Sequence, residues 1–237
     1  MDIAPLFVSI VFILTIGLTF YLFYRVLNLS NLTLKQRNKW VMILCIWIIV
    51  QVILSLINFY SEKPQINPPK LPMLVGPPLL FIIYLFNSSR GKSFIDSLSL
   101  EDLTIISVVR IPVELVLYWL AISKAVPTIM TFDGANFDIL AGISAPLIYY
   151  FGFRRQRINK YVYLIWNCVS LGLLLNIIII AILSVPFSFQ QISFEQPNIA
   201  LLHFPYSLLP GFIVPVVLFS HFVALRRILQ GQSIRLS

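Results

Sequence analysis

Long apolar stretches recur along the chain, separated by short polar breaks, and seven of them are read as membrane spans: 4–27, 40–59, 71–86, 103–126, 137–153, 161–185 and 199–229. An α-helix needs roughly 20 apolar residues to cross about 30 Å of hydrocarbon. An apolar segment in lipid must satisfy its backbone internally, and a helix does so without a partner strand. The pattern therefore predicts an all-α membrane protein of seven transmembrane helices. The third span is the shortest and contains Pro77 and Pro78. The breaks between spans leave no room for a second folded unit, so 1–237 is read as a single transmembrane domain.

The polar breaks also orient the chain. Arg25, Lys35, Arg37, Lys39, Arg90, Lys92, Arg154, Arg155, Arg157, Lys160, Arg226, Arg227 and Arg235 all fall on one side of such a seven-span thread. Lys63, Lys70 and Lys124 fall on the other, and Arg110 lies inside the fourth span. Basic loops stay in the cytoplasm, which predicts the N-terminus out and the C-terminus in. Asp2 precedes the first span and Arg25 follows it, the reverse of a cleavable signal peptide, so this span is expected to remain as a helix.

Composition agrees: 59% of the 237 residues are hydrophobic and 11% charged, and the mean hydropathy is +0.91. The net charge of +8 is then a topology and anionic-lipid signal, and no nucleic-acid partner is expected. The triplets at Asn28, Asn31 and Asn87 fall on the inner side, where glycosylation does not reach. Cys45 and Cys168 lie within spans and form no disulfide framework. The expected location is the plasma membrane, as in a bacterial inner membrane.

Three segment pairs recur in the same order. FYLFYR (20–25) matches YYFGFR (149–154), QRNKWV (36–41) matches QRINKYV (156–162), and LPMLVGPPLLF (71–81) matches LPGFIVPVVLF (209–219). Spans one to three would then repeat as five to seven in the same direction, a 3+1+3 parallel repeat. The first three-helix bundle would occupy 1–86, the linker helix 87–130 and the second bundle 131–237. Pro72 and Pro77 correspond to Pro210 and Pro215, and these four are the candidate hinges.

This plan resembles the SWEET sugar transporters and the PnuC vitamin transporters in topology, without the proline-glutamine signature of the wider PQ-loop group. The RIPVELVLYW (110–119) and MTFDGANFDILAG (130–142) stretches also resemble an uncharacterised bacterial seven-helix membrane family. The first resemblance implies transport, and the second implies no activity.

Chemistry-bearing residues are few. In the fourth span Arg110, Glu114 and Tyr118 follow at one-turn spacing and form a polar stripe with Ser107. Charges at this depth face the bundle interior and seek partners. The structural reading is a local Arg110–Glu114 ion pair, and the functional reading makes Glu114 an exchanger of a proton or cation. Aligning spans two and six sets Gln51 against Gly172 and Ser55 against Asn176, a symmetric mid-membrane pocket for a small neutral or amphipathic solute; interhelical hydrogen-bonding is the structural alternative.

Asp133, Asn136, Asp138, Glu195 and His203 gather in the outer loops. Of these Asp133, Asp138 and His203 are weak metal candidates, since no HExxH or paired-histidine spacing accompanies them and Asp133 opens a good turn. His221 follows His203 by five helical turns, about 27 Å, which excludes one haem using both. The last span has no lysine for a retinal Schiff base, and no nucleophile motif appears. No cofactor is expected.

The leading functional reading is a small-solute transporter or facilitator. A membrane-embedded enzyme acting on a lipid or isoprenoid is the alternative, with Asp133, Asp138 and His203 converging. A non-catalytic sensor or assembly subunit is the third, with no cavity between the halves.

Overall fold

The computed structural model describes residues 3–61 and 70–230; helix dominates them, with no strand among the described residues. Lys63 and Arg235, which enter the basic pattern, lie outside them. Among the described residues five helices are long and apolar enough to cross a membrane, and a sharply bent pair makes a sixth if counted as one span. The chain is a multi-pass, apolar helical protein.

The packing identifies its solvent. Helix α1 (Leu6–Leu29) leads to α2 (Leu34–Leu56), which starts on a capping box: the Thr33 hydroxyl accepts the Gln36 amide, and the Gln36 side chain accepts the Thr33 amide. The buried residues of α2 are Gln51 and Ser55, whereas Ile46 and Ile49 are 54% and 57% exposed. A helix with its polar side chains inside and its isoleucines outside suits hydrocarbon, not water.

Helix α3 (Leu71–Asn87) runs through Pro77 and Pro78, then turns by 92° into the short α4 (Ser89–Ser97). Ser88 fixes the corner, its hydroxyl accepting the Gly91 amide at 3.0 Å. A Cβ at Gly91 would overlap the Leu85 carbonyl, so the corner requires glycine for close approach. Neither α4 nor its bend was expected from the sequence, because an apolar count registers only the α3 part.

Helix α5 (Leu100–Ile105), a 3₁₀ turn (Ile106–Val109) and α6 (Arg110–Ile122) follow as one continuous span, Leu100–Ile122. It packs on α1 and on α7 (Ile139–Ile148), so the expected linker helix lies at the centre of the molecule. Helix α7 widens into a π-helical segment (Tyr149–Arg154), giving the shorter apolar helix Ile139–Arg154. Helix α8 (Lys160–Leu183) starts at Asn159, whose side chain accepts the amides of Tyr161 and Val162.

The final span begins later than expected. Residues 199–208 contain only a 3₁₀ turn (Ala200–Leu202), and regular helix starts with a π-helical segment (Leu209–Ile213) leading into α9 (Val214–Leu229). Pro205 accounts for the delay, since it cannot continue a helical ladder. Pro215 explains the π-turn in the same way: it has no N–H to offer the Gly211 carbonyl four residues back. That carbonyl is instead bound by the indole N–H of Trp47 at 2.7 Å, which ties α2 to the Leu209–Ile213 segment.

One short segment gathers the basic helix ends. Asp96 lies 3.5 Å from Arg226, Glu101 3.0 Å from Arg154, and Asp102 3.1 Å from Arg25. Arg227 donates to the Leu98 carbonyl. Residues 96–102 thus clasp α1, the Tyr149–Arg154 segment and α9 at a common end.

Two of the three paired segments differ in local structure. FYLFYR lies within continuous α1, whereas YYFGFR is the π-helical segment. Asn38 sits inside α2, whereas Asn159 caps α8. The third pair agrees, with both Leu71 and Leu209 opening a helical segment followed at once by proline.

Candidate functional site

Helix α6 carries Arg110 and Glu114 into the interior, where they are 2% and 1% exposed. Residues 128–138 fold inward to meet them. A 3₁₀ turn (Thr128–Met130) is followed by amide bonds from Ala135 to the Ile129 carbonyl at 3.1 Å and from Asn136 to the Thr131 carbonyl at 3.2 Å. This closed loop buries Thr131, Asn136 and Asp138.

Arg110 takes its partners from three other elements. Its Nη1 donates to Asp138 Oδ1 at 2.9 Å and to the Ser170 carbonyl at 3.0 Å, and its Nη2 to His221 Nε2 at 2.7 Å. The ion pair read from the sequence, Arg110 with Glu114, therefore gives way to Arg110 with Asp138. The planar guanidinium fork is turned towards acceptors on the 128–138 loop, α8 and α9. Glu114 is held by the loop: Asn136 Nδ2 donates to its Oε1 at 2.5 Å and to the Met130 carbonyl at 3.0 Å, while Asn136 Oδ1 accepts the Asp138 amide at 3.1 Å.

The geometry fixes the histidine tautomer. A guanidinium offers only donors, so His221 Nε2 must accept and the ring proton sits on Nδ1. Nδ1 then donates to Asn167 Oδ1 at 2.9 Å, and Asn167 donates to the Tyr163 carbonyl at 2.9 Å. The Tyr163 hydroxyl bonds Thr104 at 2.7 Å, extending the chain of polar contacts towards the clasp. Two buried atoms at the centre of this network, Arg110 Nε and Glu114 Oε2, have no hydrogen-bond partner from the protein.

A groove of about 440 Å³ lies on the other side of α9, between α2, α3 and the Leu209–Ile213 segment. Trp40, Trp47, Pro77, Phe81, Gly211 and Pro215 line it together with further apolar side chains, and no ionisable residue is among them. Helix α9 thus carries Pro215 to the groove and His221 to the network.

The structure separates the four residues read as a symmetric pocket. Gln51, beside Gly211 of the groove wall, accepts the Tyr60 hydroxyl at 2.6 Å, and Ser55 bonds Ser207 at 2.6 Å. Gly172 is exposed with open space beside it, and Asn176 is exposed and donates to the Ala135 carbonyl at 2.8 Å. Helix α8 packs on α9, which keeps Gly172 and Asn176 away from α2. Among the proposed hinges, Pro77 and Pro215 meet on the groove, while Pro72 and Pro210 stand at helix starts.

The outer carboxylates do not converge. Among the described residues no group of three or more His, Cys, Asp or Glu side chains is placed to hold a metal ion. Asp133 is exposed, Asp138 is committed to Arg110, and His203 is half-buried, its burial favouring the neutral ring and lowering its titration below the usual histidine value. Sequence reasoning missed His221, Asn167 and Asn136 as network members. The available signal was polarity inside apolar runs, which cannot say who meets whom.

The chain matches no curated protein and no solved structure. The model of a family described as a domain of unknown function, DUF8737, matches residues 68–229, a stretch that holds every member of the network from Thr104 to His221, whereas α1 and α2 precede it. With more than half of its length matched, the chain belongs to the DUF8737 family.

Proposed function

We propose that this protein is a transporter or facilitator for a small amphipathic solute, seated in a bacterial inner membrane. The observation that carries the reading is the groove of about 440 Å³ between α2, α3 and α9. Its size falls in the range of small-molecule sites. Its apolar lining suits a hydrocarbon body, and Lys39, beside Trp40 at 5.8 Å from its ring, offers a charge for a polar head. The solute site is thereby moved from Ser55, Gly172 and Asn176 to the groove, with Gln51 beside Gly211 of its wall.

The proposal takes seven spans, with Ile139–Arg154 as the short fifth, the N-terminus outside and the C-terminus in the cytoplasm. Support comes from the basic residues gathered at one end around residues 96–102. The division into bundles at 1–86 and 131–237 rests on the paired Leu-Pro helix openings and on Pro77 and Pro215 facing one groove. Prolines on opposite walls are suited to absorb the small helix bends that open and close it. A lipid-modifying enzyme would need reactive groups at this place, and the lining has no ionisable side chain.

The test is flux of a labelled amphiphile across proteoliposomes. Ile46 lines the groove and is 54% exposed, so Ile46→Trp fills the groove without disturbing the core. Wild type should carry flux above empty liposomes, and the variant should lose most of it. Folded wild type that moves no amphiphile would leave the structural-subunit reading ahead.

A further inference from the structure

The buried network contains one more carboxyl than it needs. Arg110, Glu114, Asp138, His221 and, at its far end, the Tyr163 phenol bonded to Thr104 are its titratable members, each no more than 4% exposed. Arg110 and Asp138 neutralise each other at 2.9 Å. His221 is a neutral ring, because Nε2 faces the guanidinium and Nδ1 already donates to Asn167. Glu114 remains. Its Oε1 has one donor, Asn136, and its Oε2 has no hydrogen-bond partner from the protein.

No other charge faces Glu114 from the elements packed on α6. Helix α1 carries its titratable groups, Tyr21, Tyr24 and Arg25, at its basic end, with Arg25 engaged by Asp102. Helix α7 between Ile139 and Ile148, the turn Thr128–Met130 and the turn Ile106–Val109 carry none. Asp133, in the adjoining loop, is exposed and carries the same sign as Glu114. An ionised carboxylate buried with a single donor and no counter-charge of its own is strongly disfavoured, and such groups bind a proton instead.

We propose that Glu114 is a proton-binding site within the membrane, holding its proton as a neutral carboxylic acid in the resting protein and releasing it when Arg110 parts from Asp138 and turns to Glu114. The ionised form would then gain Arg110 if Asp138 moved away, so the two carboxyls compete for one guanidinium. This competition is a device by which movement of the 128–138 loop changes proton occupancy. The protonation state stands on the network alone, while coupling it to flux rests on the transport reading; failure of either leaves the other standing.

Infrared spectroscopy of the purified full chain in D₂O tests it directly. At neutral pH the wild type should show the carbonyl stretch of an un-ionised carboxylic acid, shifted by ¹³C-glutamate labelling, lost in Glu114→Gln, and kept in Ile46→Trp. Asp138→Asn should abolish the same band, because Glu114 then becomes the partner of Arg110. Should a variant fail to fold, the labelled wild type decides alone: only ionised glutamate bands at neutral pH, or an acid band unmoved by glutamate labelling, would overturn the proposal.

Discussion

Replacing Asp138 with leucine leaves the Arg110 guanidinium, 2% exposed, without its ion-pair partner at 2.9 Å. Breaking one side of a buried pair costs about 3–5 kcal/mol when the remaining charge is uncompensated, and the lower part of that range applies here because Glu114 ionises to serve as a poorer substitute. For a chain of this size each kcal/mol shifts Tm by about 2–4 °C, so the Tm of Asp138→Leu should fall by an amount in the lower part of roughly 6–20 °C. Changing both partners, Arg110→Met with Asp138→Leu, removes the charge and two further hydrogen bonds, leaving His221 Nε2 without its donor while the Ser170 carbonyl stays in the α8 ladder. At about 1 kcal/mol per lost hydrogen bond, the double variant should lose roughly 2 kcal/mol and melt about 4–8 °C lower. Adding Glu114→Gln to Asp138→Leu should deepen the loss, since it removes the nearest substitute carboxylate. Thermal unfolding in detergent, read by near-ultraviolet circular dichroism, supplies all four values. A double variant as unstable as Asp138→Leu alone would refute the buried pair as the origin of the effect.

Other expectations follow from single contacts. Trp47→Phe removes the donor from the Gly211 carbonyl that Pro215 leaves free, and should cost about 1–3 kcal/mol; Pro215→Ala in the same background should recover part of it, both read by Tm. Thr33→Ala breaks the capping box of α2 and should lower stability by about 0.5–2 kcal/mol, measured in the same melts. Gly91→Ala forces a Cβ into the Leu85 backbone and should open the 92° corner, seen as protease cleavage near Ser88 that the wild type resists. His203 resists protonation when folded, whereas the unfolded chain titrates near 6.5; stability should therefore be full above that value and decline as pH falls through it, a slope that His203→Gln should flatten.

The helical membrane architecture was legible in the sequence because lipid selects long apolar runs whatever their packing. Span boundaries at Leu71, Lys160 and Leu229 lie within a residue or so of the expected ones for that reason. The α3–α4 corner was not legible, since it depends on Ser88 and on Gly91 meeting the Leu85 backbone, contacts that leave no mark on hydropathy. Within the site, Arg110 and Glu114 were recognisable as buried because charge inside an apolar run must face protein. Their partners were not recognisable: helical spacing favours the i,i+4 pair, yet the loop at 128–138 brings Asp138 and Asn136 across instead. Gln51 and Asn176 illustrate the same limit, one buried against Tyr60 and the other exposed beside Ala135. Symmetry in sequence aligned them; the packing of α8 on α9 separated them.

The central claim is that the groove between α2, α3 and α9 receives an amphiphile, and Trp47 on its wall reports on it. In a chain with Trp40, Trp119 and Trp166 changed to phenylalanine, a brominated single-chain amphiphile should quench Trp47 fluorescence saturably, with an excess of the unbrominated compound restoring the signal. Quenching that rises in simple proportion to bromine content and resists competition, as for a side chain bathed in bulk lipid, would contradict the claim.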